Sequence, residues 1–258
     1  MSIFQEDMLT GLNKVETAIA LLQAVEPPVG YYGAFSGGKD SCVIKHLTAA
    51  AGVKADWHYY VSPIDPKEVQ DFIKQTHPDV QWDYYARGFR KMIELNGMPL
   101  RQGRWCCRFI KEAGGLGRTV ITGIRHAESA KRKSRKCFEK GRVGNKIFVH
   151  PIITWSDGEV WEYIGVHNLK VCSLYAEGFH RIGCVLCPFH RNVKYELERF
   201  PKIAKLWRLG CEDVHKRRLT QGKVDTFRTS DDRWHFWLDR DAKRRDKRQG
   251  VLGEKVND

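Results

Sequence analysis

The segment Ser36-Gly37-Gly38-Lys39-Asp40-Ser41 restricts what this 258-residue chain can fold into more than any other. Before it, Val29 to Phe35 is a short apolar run of the kind that forms a buried strand. After it, Val43, Ile44 and Leu47 recur at helical spacing until Gly52. A strand that turns through two glycines into a helix opens a βα unit, and the order matters chemically. Two glycines let the backbone close around an anion, and the amides of the following helix N-terminus point at it with the positive end of the dipole. Lys39 adds a mobile charge, while Ser36 and Ser41 add hydroxyl donors. The Walker spacing GxxxxGK[ST] is absent. A plain turn with a serine cap accounts for one glycine and one serine and leaves the rest of the string unexplained.

The remaining pattern extends that unit into a sheet. Leu12, Val15, Ile19 and Leu22 give a helix within 3–25, stopped by Pro27-Pro28. Strands are expected at Lys54 to Val61, Val80 to Tyr85 and Thr119 to Ile124. Ile147 to Ile153 reads as an edge strand broken by Pro151, and Lys67 to Thr76 as a helix. Strands alternating with helices predict an α/β fold, a mostly parallel twisted sheet with helices on both faces. From about Asp157 the chain reads as helix and loop, and the aromatics of Trp234-His235-Phe236-Trp237 as core or docking residues. The division expected is a loop-bearing domain over 1–200 and a basic helical extension over 201–258. No apolar run approaches the roughly 18 residues of a spanning helix. Met1 to Asp7 lacks the basic start and apolar core of a signal peptide, so a soluble cytoplasmic protein without a membrane partner is expected.

Charge narrows the partners. The net charge is +13, and the segment from Arg101 to Lys146 carries fourteen Lys and Arg against Glu112, Glu128 and Glu139, a surplus of eleven. A second cluster, Lys216-Arg217-Arg218 and Arg240 to Arg248, is diluted by Asp239, Asp241 and Asp246 and reads as a solvated face. The middle segment predicts an anionic partner: the lining of one anion site, with DNA or RNA as its extension. Arg125, at the end of the fourth expected strand, falls at the carboxyl edge of the sheet, where open α/β folds bind ligands. A guanidinium there can grip phosphate or sulfate bidentately, and Glu128 can neutralise or orient a neighbouring arginine. Trp155 and Trp161 read as packing residues.

Eight cysteines in a cytoplasmic chain call for something other than disulfides. Cys184-x-x-Cys187 can grip one metal from a tight turn, and the distant pair Cys106-Cys107 can complete four thiolates. Spacing alone leaves zinc and an iron–sulfur cluster both open. Cys42 reads as a small buried apolar residue. Cys137, among Lys131 to Lys140, is expected to have a lowered pKa and to be a candidate sulfur-handling thiol.

The SGGKDS string resembles the PP-loop of the adenine nucleotide alpha hydrolases, whose members cut ATP between the α- and β-phosphates or bind adenylyl sulfates. Gly123-Ile124-Arg125-His126-Ala127-Glu128-Ser129 resembles the GxRxxES segment of the phosphoadenosine phosphosulfate (PAPS) reductase branch. Pro151-Ile152-Ile153-Thr154-Trp155 with Val160-Trp161-Glu162-Tyr163-Ile164, and Leu174-Tyr175 with Gly178-Phe179 and Arg181-Ile182-Gly183-Cys184, resemble two further elements of that branch. The resemblance runs from about residue 20 to 200, in order. It implies Lys39, Asp40 and Arg125 as catalytic residues. It implies Ser36, Gly37, Gly38, Lys39, Asp40, Ser41, Gly123 and Arg125 as nucleotide contacts, with magnesium. It also implies a 4Fe–4S cluster on Cys106, Cys107, Cys184 and Cys187, because a tandem CC followed by CxxC is similar to the cluster pattern of adenylyl-sulfate-using and sulfur-transfer enzymes.

Sulfonucleotide reductases carry a nucleophilic cysteine in an ECGLH-like segment near the C-terminus. Here no cysteine follows Cys211, and Gly210-Cys211-Glu212-Asp213 does not match that segment. The reading that follows is an ATP pyrophosphatase activating a substrate by adenylation for sulfur transfer. It is similar in kind to the ATP pyrophosphatase component of DNA phosphorothioation systems, with a sulfur-donor protein such as a cysteine desulfurase as partner. The alternatives are a reductase of adenylyl sulfate or PAPS using Cys211, Cys137 or a partner's thiol, and a non-enzymatic cluster-bearing nucleotide-binding subunit.

Overall fold

A computed structural model describes residues 2–190 and 192–239. Its chain divides into two compact units, and the division does not follow residue 200. The first unit takes Met1–Val61, Asp65–Tyr84 and Glu112–Gly183; the second takes Ser62–Ile64, Tyr85–Lys111 and Cys184–Asp258. Arg240 to Arg248, the distal part of the expected C-terminal extension, lies outside the described residues.

The first unit is built on one sheet. Helix α1 (Lys14–Ala24) starts at Asn13, whose side chain accepts from the Val15 and Glu16 amides while Glu16 accepts from the Asn13 amide, a capping box. This cap starts the helix eleven residues later than the expected 3–25 span. Strand β1 (Tyr31–Ala34) leads through the glycine loop into α2 (Lys39–Ala50). Then follow β2 (Ala55–Tyr60), α3 (Lys67–Thr76), β3 (Gln81–Asp83), β4 (Thr119–Ile121), β5 (Phe138–Lys140), β6 (Ile147–Val149) and α5 (Asp157–Val166). In the second unit α4 (Phe89–Asn96) precedes β4 in sequence. The sheet order is β3-β2-β1-β4-β6-β5, parallel except for the β5–β6 pair. Ile147 to Val149 is therefore an inner strand and not the expected edge. The edge is β5, a Phe-Glu-Lys segment whose strand character comes from pairing with β6 and not from any apolar pattern of its own.

β4 ends earlier than its apolar run suggests. Thr122 still donates its amide to the Val149 carbonyl at 3.0 Å, and the chain then leaves the sheet at Gly123. The strand order reverses between β1 and β4, and both segments leaving their carboxyl ends carry predicted site residues. Leu22, Ile44, Leu47, Ile73, Ile121 and Val149 are buried beneath, and Tyr31 donates its hydroxyl to the Leu22 carbonyl at 2.6 Å.

The second unit is helical. α6 (Val193–Arg199), α7 (Pro201–Thr220) and α8 (Ser230–Leu238) join α4. Gly210 of α7 sits against α4, where an added Cβ would meet Ile93 Cδ1 at 2.8 Å. Phe89 packs edge-on and Trp237 tilted against Trp207 with centroids 5.2 and 4.8 Å away, and Trp237 Nε1 donates to the Pro99 carbonyl. Trp234 and Trp237 are thus core residues of this unit. Among the described residues no helix is long and apolar enough to cross a membrane.

Candidate functional site

The glycine loop has the conformation its composition demands. Gly37 sits at φ +72°, and a Cβ there would also press on Val69 at 2.9 Å. Gly38 is the N-cap of α2 and supplies no side chain to the first-turn amides. The Lys39 amide instead donates to the Tyr175 hydroxyl at 2.9 Å. Ser41 Oγ donates to the Gly38 carbonyl at 2.7 Å and lies 3.4 Å from Ser36 Oγ, so both serines brace the loop. Gly123 passes so close to α2 that a Cβ would lie 2.9 Å from Asp40 Cβ.

Lys39 and Arg125 meet two carboxylates here. The Lys39 side chain is buried, with Nζ 3.0 Å from Asp157 Oδ1 and 3.7 Å from Asp40 Oδ2, over the rings of Trp161 and Tyr175 at 5.9 and 5.7 Å. Arg125, 2 % exposed, donates to Asp40 Oδ1 at 2.6 Å, to Asp157 Oδ1 at 3.0 Å and to the Trp155 carbonyl at 3.3 Å. Its N–H groups are directed at the protein, so it braces Asp40 and Asp157 rather than standing open to an anion. Partial burial opposes the charge on Asp157, but the bonds to Lys39 and Arg125 outweigh it and hold the carboxyl below the usual range. With its side chain 62 % exposed, Asp157 is the outermost carboxylate of the group. Burial keeps the Tyr175 phenol protonated far above its ordinary range, so its hydroxyl can accept the Lys39 amide and still donate a proton outward.

The structure brings Ser36, Gly37, Gly38, Lys39, Asp40, Ser41, Gly123 and Arg125 together in the first unit. It adds Asp157, Tyr175 and Trp161, which sequence reading did not assign to the site. Trp155 packs as expected, but Trp161 is 38 % exposed and walls Lys39. The signals were available: Asp157 follows the capping serine of α5, and Tyr175 belongs to the Leu-Tyr motif.

The basic segment is not one lining. Residues 101–111 belong to the second unit and 112–146 to the first. Much of its charge is met locally: Arg118 pairs bidentately with Asp56, Arg132 with Glu128, Arg135 with Glu139, and buried Lys146 donates to the Glu112 carbonyl at 2.6 Å. Lys131, Lys133, Lys136, Lys140 and Arg142 remain exposed on the first unit.

All four predicted ligand cysteines fall in the second unit. None of the eight cysteines is in a disulfide. A hydrogen bond with Cys107 pushes the Cys106 thiol up, and burial and the nearby Cys184 and Cys187 push it further. Four cysteine thiols are the donor set of a soft metal centre, so the residues fit such a group in chemistry. Among the described residues no group of three or more His, Cys, Asp or Glu side chains is placed to hold a metal ion. Cys42 is buried, with its thiol pushed up by burial to about 12, and Cys211 likewise. Cys137 is exposed.

The sequence profile of the phosphoadenosine phosphosulfate reductase domain matches residues 31–190. An uncharacterized protein of Methanocaldococcus jannaschii is 30 % identical over 196 residues, 71 % of this chain and 47 % of that protein. An adenosine 5'-phosphosulfate reductase of Allochromatium vinosum is 30 % identical over 121 residues, 43 % of this chain and 44 % of that enzyme. The chain thus spans about half the length of these relatives. Among solved structures, a phosphoadenylyl-sulfate reductase from Candida auris in complex with phosphate has a TM-score of 0.51 at 15 % identity, covering 69 % of this chain and 90 % of that one.

Proposed function

Because the chain belongs to the phosphoadenosine phosphosulfate reductase domain family, we propose that it is a nucleotide-dependent enzyme of sulfur chemistry. In this reading it is an ATP pyrophosphatase that adenylates an acceptor for sulfur transfer in the cytoplasm. The observation that carries the reading is the junction of β1 and α2. A glycine N-cap leaves the Asp40 and Ser41 amides, next to the Lys39 amide that Tyr175 already takes, to an external acceptor, beside a buried lysine and at the switch point of the sheet.

In this reading the α2 amides and Lys39 take the β- and γ-phosphates. An acceptor oxygen attacks the α-phosphorus, and the bond to the bridging oxygen breaks with its electron pair leaving on pyrophosphate. Lys39 and the amides stabilise that leaving charge. Arg125 is a positioning residue that fixes Asp40 and Asp157, and the exposed carboxylate of Asp157 would hold a magnesium ion, which would supply positive charge to the triphosphate. Tyr175 donates its free proton to a phosphate oxygen. Cys106, Cys107, Cys184 and Cys187 would hold a 4Fe–4S cluster, which would supply a sulfur-carrying or sulfur-positioning centre. The exposed Lys131, Lys133, Lys136, Lys140 and Arg142 suit a nucleic-acid acceptor, and a cysteine desulfurase suits the role of donor.

The reductase alternative needs a thiolate nucleophile. Cys211, buried and with its thiol near 12, is a poor one, which leaves exposed Cys137 or a partner's cysteine. Anaerobically purified protein with α-labelled ATP and nucleic-acid acceptors should release pyrophosphate and leave labelled AMP on the acceptor, and a sulfur donor should then displace it as free AMP. Thiol-dependent sulfite release from adenylyl sulfate, with no pyrophosphate from ATP, would instead establish the reductase. Nucleotide binding without either product would leave a non-catalytic binding subunit.

A further inference from the structure

The Cys184–Cys187 turn is held by more hydrogen bonds than a loop of that length needs. Val185 donates its amide to the Ile64 carbonyl at 2.8 Å, and its carbonyl accepts from buried Trp207 Nε1 at 3.1 Å. Leu186 sits at φ +57°, a left-handed conformation that costs a branched residue roughly 1–3 kcal/mol and persists only where the surroundings enforce it. Its amide donates to Glu196 Oε2 at 2.5 Å. The other carboxylate oxygen, Oε1, lies 2.5 Å from His190 Nδ1, and the His190 amide donates to the Cys187 carbonyl at 2.8 Å. Glu196 is 5 % exposed, and a carboxylate that deep is expensive to bury unless its oxygens are bonded. Both oxygens are bonded, to groups on either side of the second cysteine.

We propose that Glu196 is the positioning residue of the cysteine centre. Through the Leu186 amide and His190 it fixes the turn so that Cys184 and Cys187 present their sulfurs to one metal centre. The proposal rests on the reading of the four cysteines as ligands. A helix residue nine positions beyond the CxxC thereby holds a left-handed residue where most turns of this hand use glycine, and it sets a carboxylate charge against the turn that carries Cys187. That charge opposes the arrival of a further electron, so Glu196 also lowers the reduction potential of an iron centre bound there. Bonds one layer behind the ligands set affinity in this way, and their loss costs about ten- to a hundredfold in metal affinity.

The test uses the full chain purified anaerobically with iron and sulfide, measuring metal content, visible thiolate-to-metal absorption, release to a chelator and reduction potential. Glu196→Gln keeps an acceptor for the Leu186 amide and removes the charge. It should retain the centre with a potential shifted to more positive values. Glu196→Ala removes both and should release metal about tenfold faster or more, while its far-ultraviolet circular dichroism stays that of the parent. If Glu196→Ala proves unfolded, the Gln variant alone decides, since a change of fold does not predict a shifted potential in an intact centre. Unchanged release from folded Glu196→Ala, or an unchanged potential in Glu196→Gln, overturns the proposal. A parent chain that takes up no metal through its cysteines overturns it together with the ligand reading, while pyrophosphate release judges the nucleotide chemistry separately.

Discussion

Replacing Gly123 with alanine tests whether the sheet exit and the phosphate loop are one mechanical part. The new Cβ would lie 2.9 Å from Asp40 Cβ and 3.0 Å from both the Asp40 carbonyl carbon and its oxygen. Ordinary contact begins at 3.4 Å, so the two segments must part by about 0.5 Å. Two of the three atoms are main chain and have no rotamer to escape into. Overfilling a packed contact costs about 1–3 kcal/mol. At about 2–4 °C per kcal/mol for a chain of this size, the melting temperature should fall by about 2–12 °C. Asp40 is the second residue of α2, so the displacement passes to the amides that would hold phosphate. Misplacement by about 1 Å costs roughly a hundredfold in rate, so half of that predicts roughly tenfold slower pyrophosphate release. Gly165→Ala is the control: no atom lies within 4 Å of its added Cβ, and in α5 the change should be neutral or stabilise by about 0.5 kcal/mol. Gly123→Ala protein that melts within about a degree of the parent and releases pyrophosphate as fast would refute the coupling.

Lys39→Ala should lower the rate of pyrophosphate release by about a hundredfold or more, with circular dichroism unchanged; parental turnover would remove Lys39 from the chemistry. Arg125→Lys should weaken the frame around Asp40 and Asp157. A single ammonium cannot reproduce bonds to two carboxylates and the Trp155 carbonyl, so thermal stability and turnover should fall together. Burial, aided by Lys45 and Arg135 respectively, pushes the imidazoles of His77 and His150 down to about 4. In the unfolded chain they titrate at the ordinary imidazole value of 6.5, so between these values the unfolded state binds more protons. Stability should therefore be full above that window and fall as the pH drops through it, and His150→Gln should make the urea midpoint less pH-dependent there. Cys106→Ser should abolish the visible absorption of a reconstituted cluster, and a variant that keeps it would exclude Cys106 as a ligand.

The strand–loop–helix at 31–50 and the helix at 67–76 were legible because hydrophobic period and breakers agree there. β5 was not, since Phe138-Glu139-Lys140 lies in a charged run and becomes a strand only by pairing with β6. The site was half legible. Its glycines and Lys39 lie in one string, but Asp157 and Tyr175 arrive from more than a hundred residues away, and only the fold brings them to Lys39. Arg125 was found and its posture was not, because sequence cannot tell a guanidinium facing a ligand from one facing Asp40. The charge run misled in a third way. A surplus counted along the chain takes no account of Asp56, which neutralises Arg118 from β2, with β1 between them in the sheet, nor of the boundary between units at residue 111.

The short antiparallel strand β5 has a consequence for how copies of this protein behave in company. It is the last strand of its sheet, and such margins invite a second molecule to add its own strand. Here the margin is only three residues long, carries exposed Lys140 and is flanked by exposed Lys136 and Arg142. A second copy approaching in register would bring like charges together, so the same lysines that suit an anionic partner also repel self-association. Neutralising them to weaken nucleic-acid binding would at the same time remove a guard against aggregation.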